Sequence, residues 1–84
     1  MIDRVWGRGA IEPDRAHLRE THAGVPVVYL VEGSISGFAL CGTWLVADIP
    51  AAERDRFAEC ARCLRIADEI DRGETPEPGW SAHQ

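Results

Sequence analysis

The chain has 84 residues, of which fourteen are acidic and nine are basic, so its formal net charge is −5 at pH 7. A single domain of this length buries only about 60% of the surface that its unfolded chain exposes, so a stabilising cross-link or metal is expected. The acidic balance lacks the basic footprint of a typical nucleic-acid-binding protein. No apolar run approaches the roughly 20 residues that cross a bilayer, and the N-terminus has no signal-peptide pattern. We therefore expect a cytoplasmic protein with no membrane partner.

The first half of the chain is predicted to contain three strands. Residues 1–14 form an N-terminal arm whose secondary structure the pattern does not indicate, and residues 15–21 alternate weakly between apolar and polar side chains. Residues 26–32 are rich in β-branched and aromatic side chains and end at a Gly-Ser turn, which is typical of a strand. Residues 36–46 have the same character, interrupted by a Cys-Gly pair. The pattern predicts an α+β fold in which a three-stranded antiparallel meander precedes a C-terminal helical segment.

The helical segment begins near Pro50, where apolar residues start to recur at spacings of three and four. The periodicity permits one helix from Pro50 to Arg72, or a short helix that ends near Phe57 and a second that starts at Cys60. Residues 74–84 are rich in proline and form an extended tail. The chain is thus predicted to be one domain, with the arm at 1–14, the core at 15–73 and the tail at 74–84.

The three cysteines are the residues most informative about function. Cys60 and Cys63 have the two-residue spacing that lets two thiolates bind one metal, and Cys41 lies upstream. With one histidine they complete the Cys₃His set that structural zinc prefers. Gly42, directly after Cys41, is expected to adopt a positive φ that turns backbone amides towards the sulfur. The sequence therefore predicts a structural Zn²⁺ site.

Two histidines compete to be the fourth ligand. In a meander the first and third strands run in the same direction, so the end of the first strand lies near Cys41. That argument favours His22 over His17. His17 remains the alternative fourth ligand.

The motifs resemble those of small zinc-finger proteins of actinobacteria and actinophages. The resemblance covers about residues 15–67 and depends on His17-Leu18, Leu40-Cys41-Gly42 and Cys60-Ala61-Arg62-Cys63-Leu64-Arg65. It implies a zinc-binding fold, with the three cysteines as ligands and with His17 matching the family's histidine better than His22. All nine basic residues are arginine, a bias typical of GC-rich coding such as that of actinobacteria.

Other chemistries of cysteine fit the sequence less well. A thioredoxin-like site requires a βαβ frame that this chain does not show, and iron–sulfur clusters usually take four cysteines. The zinc deaminase pattern, His-x-Glu followed by Pro-Cys-x-x-Cys, is absent from the sequence. We therefore expect the metal to serve folding, and the protein to act without enzymatic activity.

Function is then expected to lie on the surface. The favoured hypothesis is an adaptor that binds another protein or a second copy of itself, with Trp80 in the Pro-rich tail as the anchor. A second hypothesis is a small nucleic-acid-binding regulator whose phosphate contacts come from arginines beside the metal site. A third is an enzyme or accessory subunit with a reactive zinc thiolate. The arginines of the second hypothesis are Arg15, Arg19, Arg62 and Arg65.

Overall fold

The computed structural model describes residues 4–80, which form a sheet-rich α+β domain with one C-terminal α-helix. Residues 1–3 of the predicted arm and 81–84 of the predicted tail lie outside the described residues. A 3₁₀ helix, Ala51–Arg56, links the seventh and eighth strands. The strands are β1 (Trp6–Gly9), β2 (Arg15–Leu18), β3 (Thr21–His22), β4 (Val25–Pro26), β5 (Tyr29–Val31), β6 (Ser34–Phe38), β7 (Trp44–Asp48) and β8 (Ala58–Glu59), and the helix is α1 (Ala61–Asp71).

The strands build two sheets rather than a three-stranded meander, so the predicted topology is wrong. Six strands form the larger sheet in the order β5-β6-β7-β1-β2-β8, while β3 and β4 form a separate two-stranded pair. Neighbours in the larger sheet are antiparallel except β2 and β8, which run parallel.

One reason for the difference is that residues 36–46 do not form one long strand. The chain reverses at Cys41-Gly42, where the Gly42 N–H donates to the Ala39 carbonyl at 2.9 Å. Gly42 has a φ of 91°, a conformation that glycine adopts without a Cβ clash. The expected positive φ is confirmed, and it marks a tight hairpin between β6 and β7 rather than an interruption within a strand.

The second reason is β1, which comes from the segment whose secondary structure the pattern did not indicate. It lies in the larger sheet between β7 and β2, with Gly7 opposite His17. A Cβ at Gly7 would lie 2.9 Å from Cδ1 of Leu45, so the position tolerates little more than hydrogen. Because glycine is depleted in strands, a sequence that needs glycine here for steric reasons does not have the residue composition that predicts a strand.

The helical region follows the second of the two predicted versions. The 3₁₀ helix ends at Arg56, and α1 begins directly after Cys60. No helix formed by residues 4–80 has the length and apolar character of a membrane span.

The helix and the sheet enclose one buried cluster, so two of the three cysteines belong to the hydrophobic core. This core consists of Leu18, Ala39, Leu40, Leu45, Cys60, Cys63 and Ala67.

A buried ion pair ties the middle of the sheet together. Arg19 is fully buried, and its Nη2 lies 2.5 Å from Oδ1 of Asp48. Its Nη1 donates to the carbonyls of Ser36, at 2.7 Å, and Val27, at 3.1 Å. Because Arg19 is enclosed and fully engaged, it is not available for the phosphate contact that the nucleic-acid hypothesis assigned to it.

Candidate metal centre

The structure gathers one histidine and all three cysteines at a single point. One ligand atom from each of His17, Cys41, Cys60 and Cys63 lies within 4.8 Å of every other. His17, Cys60 and Cys63 are buried, and Cys41 is partly exposed. This group could hold a metal ion.

Three parts of the fold deliver these side chains. His17 lies on β2, Cys41 on the tight turn between β6 and β7, and Cys60 and Cys63 at the start of α1. The Cys60 N–H donates to the Ala16 carbonyl at 2.8 Å, which extends the pairing of β8 with β2 and places the helix start beside His17. The turn is joined to the same strand because the Leu40 N–H donates to the Leu18 carbonyl at 2.8 Å.

Two of the separations between donor atoms are close to those around a tetrahedral ion. Nδ1 of His17 lies 3.5 Å from Sγ of Cys41 and 3.9 Å from Sγ of Cys63. Zinc bonds of about 2.0–2.1 Å to nitrogen and about 2.3 Å to sulfur place neighbouring ligand atoms roughly 3.5–3.8 Å apart in a tetrahedron. Three thiols and one imidazole also match the donors of closed structural zinc sites. The residues therefore fit this metal.

The histidine in the group is His17, and the one favoured by the meander argument, His22, is not brought to the cysteines. His22 is exposed on β3, which pairs with β4 outside the larger sheet. The preference for His22 depended on a strand order that the chain does not adopt. The tight turn carries Cys41 back to the C-terminal end of β2, to the level of His17, and not to His22 on the next strand.

The side chains of Cys41 and Cys63 form a hydrogen-bonded pair. Donation from the Cys63 thiol, supported by hydrogen bonds from Thr43 and His17 and opposed by burial, lowers the pKa of Cys41 to about 4. The same Cys41 contact, together with burial, raises the pKa of Cys63. Metals bind thiolates rather than thiols, so an ion that binds here displaces the Cys63 proton and takes a ready-made thiolate at Cys41.

Two neighbours of the cluster were missed by the sequence reasoning. Oγ1 of Thr43 lies 3.3 Å from Sγ of Cys41, on the same turn. Gly9 leaves room for the imidazole, since a Cβ there would lie 3.1 Å from Nε2 of His17. The hydroxyl two residues after a cysteine is a signal that the sequence offers, whereas the contact between β1 and β2 is not visible without the register.

The other ring nitrogen of the histidine is left without a partner. Nε2 of His17 is buried and makes no hydrogen bond within residues 4–80. A histidine that binds a metal through Nδ1 carries its proton on Nε2 and usually donates it to an acceptor. The four possible ligands are thus gathered, whereas no described residue accepts a hydrogen bond from Nε2 of the histidine.

The tail folds back beside the cluster. The Trp80 indole donates from Nε1 to the Leu40 carbonyl at 3.3 Å, and its backbone N–H donates to Oε2 of Glu20 at 2.8 Å. A Cβ at Gly42 would lie 3.4 Å from the Trp80 ring, so ring and turn are in contact. Trp80 nevertheless remains 39% exposed, and its role as a partner anchor stays a prediction.

An open cavity of about 470 Å³ lies between this tail segment and α1, with Cys41 and Trp80 in its wall. The cavity gives solvent a path to the Cys41 sulfur, whereas Cys60 and Cys63 are closed off by the core.

No family model, curated protein or solved structure matches this chain.

Proposed function

We propose that the chain is a zinc-stabilised module that acts by binding another protein or a second copy of itself. The observation that carries the zinc assignment is the convergence of four suitable donors, three of them buried, from segments far apart in the sequence. A site with four protein ligands has no open position for a substrate or water, which favours a structural role over a catalytic one.

The small core explains why a bound metal would contribute much of the stability of this domain. Among residues 4–80 the buried cluster has seven members, of which two are the cysteines Cys60 and Cys63 and two are alanines. Chains of this size commonly need a metal or disulfide because the hydrophobic contribution to folding is small. The three cysteines are free thiols in the structure, so metal binding is the cross-link open to them.

The interaction role is supported by apolar side chains on the hairpin of β5 and β6. Leu30 is 75% exposed, and Val31 and Ile35 are 46% and 42% exposed. The strand β5 is an edge strand of the larger sheet, so within residues 4–80 no strand pairs with its outer backbone groups. Apolar surface beside an unpaired sheet edge favours pairing with another chain.

Metal content tests the first half of the proposal. We expect one zinc per chain by plasma mass spectrometry in the wild type and in His22→Ala, and loss of zinc in His17→Ala and Cys60→Ser. Thermal melts should follow the same division. A well-folded wild type without metal, or zinc lost equally from His22→Ala and His17→Ala, would contradict the assignment.

Sedimentation equilibrium tests the second half. If the partner is a second copy bound through the hairpin, the wild type self-associates and Leu30→Asp does not, while a loss with Trp80→Ala would assign the contact to the tail. A monomer at all concentrations leaves a different protein as the partner. Binding to duplex DNA that weakens steeply with salt would favour the nucleic-acid regulator instead.

A further inference from the structure

A second cleft lies on α1, away from the metal cluster. It has a volume of about 370 Å³, within the size range of small-molecule pockets. None of the four metal-ligand candidates lines it. Its walls come from Arg4 at the start of the described chain, Trp6 on β1, Leu18 on β2, and Leu64, Asp68 and Asp71 on α1.

The cleft contains a buried guanidinium whose hydrogen-bonding capacity is mostly unused. The Arg4 side chain is only 8% exposed, and its one contact within residues 4–80 is from Nη2 to Oδ1 of Asp71, at 3.2 Å. Nε and Nη1 of Arg4 are buried and have no partner in that part of the chain. Buried donors without acceptors are rare and costly, especially on a charged group. These two nitrogens therefore indicate a missing acceptor.

The remaining wall is apolar and held in place. Trp6, Leu18 and Leu64 supply it, and Leu64 is 40% exposed although it lies beside a hydrophobic core. The guanidinium carbon of Arg54 lies 3.9 Å from the centre of the Trp6 ring, a cation–π contact that restrains the indole. An occupant of this cleft would bury carbon atoms against the wall as well as meet Arg4.

The two aspartates at the cleft do not prevent an anion from binding. Asp71 is already paired with Arg4, and Asp68 lies 3.1 Å from a guanidinium nitrogen of Arg72. Each carboxylate thus has a cation beside it, and Asp71 balances the charge of Arg4. What Arg4 lacks is acceptors for Nε and Nη1. A carboxylate offers these donors two acceptor oxygens, and hydrogen bonds to ionised acceptors are stronger than those to neutral ones.

We propose that this cleft binds a carboxylate attached to an apolar body, with the carboxylate on Arg4 and the body against Trp6 and Leu64. Such a group has two sources, a free organic acid or the C-terminal carboxylate of a peptide. This site is independent of the proposed zinc module, since it shares no residue with the metal cluster.

The test uses the wild-type, metal-loaded chain and probes of matched shape. Phenylacetate, phenylacetamide and phenethylamine are titrated while proton–nitrogen NMR follows the Arg4 Nε–H and the Trp6 indole N–H. We expect phenylacetate to shift both signals and to bind about tenfold more tightly than the amide, since a charge-assisted hydrogen bond is roughly twice as strong as a neutral one. Equal binding of acid and amide, or no shift of either signal up to the solubility limit, would overturn the proposal.

Two further arms define the ligand and the residue. Acetyl-Gly-Phe with a free C-terminus, compared with its C-terminal amide, separates the sources: stronger binding of the free peptide than of phenylacetate favours a peptide end, and the reverse favours a small acid. Arg4→Met should weaken phenylacetate binding at least tenfold. The control Arg65→Met removes an exposed arginine of α1 that does not line the cleft, and it should leave phenylacetate binding unchanged. If Arg4→Met does not fold, the comparison of phenylacetate with phenylacetamide in the wild type still tests whether the cleft prefers a carboxylate.

Discussion

Nδ1 of His17 lies 3.5 Å from Sγ of Cys41, although 24 residues separate them in the sequence. The contact exists because the turn after β6 returns to the C-terminal end of β2, where the Leu40 N–H donates to the Leu18 carbonyl. A second bond, from the Glu20 N–H to the Phe38 carbonyl at 2.9 Å, joins the same two segments. This pairing holds the histidine against the thiol, and the start of α1 completes the group.

Removal of the metal should destabilise the whole domain rather than one loop. The four donors come from β2, the β6–β7 turn and α1, so a metal bound to them would hold separate parts of the fold together. Since a site of this kind does not exist in the unfolded chain, its binding free energy contributes to folding. We expect a chelator to lower the melting temperature and to broaden the transition, as measured by circular dichroism, and the restored metal to reverse both effects. An unchanged melt after complete removal of the metal would contradict a structural role.

Gly9→Ala should weaken metal binding through the histidine. The added Cβ would lie 3.1 Å from Cδ2 and Nε2 of His17 and 3.2 Å from Cγ2 of Thr43, so the imidazole must tilt away. A competition titration with a chromophoric chelator should show lower zinc affinity, and the imidazole nitrogen chemical shifts should change.

The matched control is Gly7→Ala on the same strand. Its Cβ would meet the Leu45 side chain at 2.9 Å instead of the metal group. It should lower the free energy of unfolding and leave the His17 nitrogen shifts of the metal-loaded protein unchanged. Equal changes of those shifts in both variants would show that the contact with Gly9 has no specific effect on the metal site.

Asp48→Asn should be strongly destabilising. It leaves Arg19, which is fully buried, without its carboxylate partner at 2.5 Å. Loss of one partner of a buried ion pair costs about 3–5 kcal/mol, and the partial exposure of Asp48, at 34%, places the expected cost near the lower end of that range. Urea unfolding of the metal-loaded protein measures it.

The exposed pair of Asp68 and Arg72 provides the control. Both side chains are more than half exposed, so Asp68→Asn should change the free energy of unfolding by less than about 1 kcal/mol. A cost of similar size for the two substitutions would mean that burial of Arg19 does not set the strength of the Asp48 pair.

Trp80→Ala should make the metal site more accessible. The indole packs against the turn that carries Cys41 and bonds to the Leu40 carbonyl, so its removal uncovers the one cysteine that is already partly exposed. We expect faster alkylation of Cys41 by N-ethylmaleimide and faster transfer of zinc to a chelator, both resolved by mass spectrometry over time.

Trp44→Phe serves as its control, because Trp44 stacks on Tyr29, at 6.3 Å between ring centres, away from the tail. This variant should react at the wild-type rate. If Trp80→Ala also reacts at that rate, the tail does not shield the site.

Local patterns predicted some elements and missed others for identifiable reasons. The positive φ of Gly42 follows from a short-range rule and is confirmed. The periodicity left two versions of the helical segment open, and the structure has the one in which a helix starts after Cys60. Strand β1 is not predicted because its sequence shows no alternation of apolar and polar side chains. Its two glycines are required by close neighbours on adjacent strands, Leu45 and His17. The predicted meander is wrong because the Cys-Gly pair reverses the chain, whereas the sequence pattern predicts an interruption within one strand.

The sequence by itself determined the donor set, since the spacing of Cys60 and Cys63, with Cys41 and a histidine, predicts a metal site on any fold that can gather them. Only the tertiary structure decided which histidine belongs to it. His17 and His22 are five positions apart and have the same chemistry. The strand argument favours His22 and the motif resemblance favours His17, so the sequence leaves the choice open. The choice depends on strand order and register, which place His17 inside the sheet beside Cys41 and leave His22 exposed.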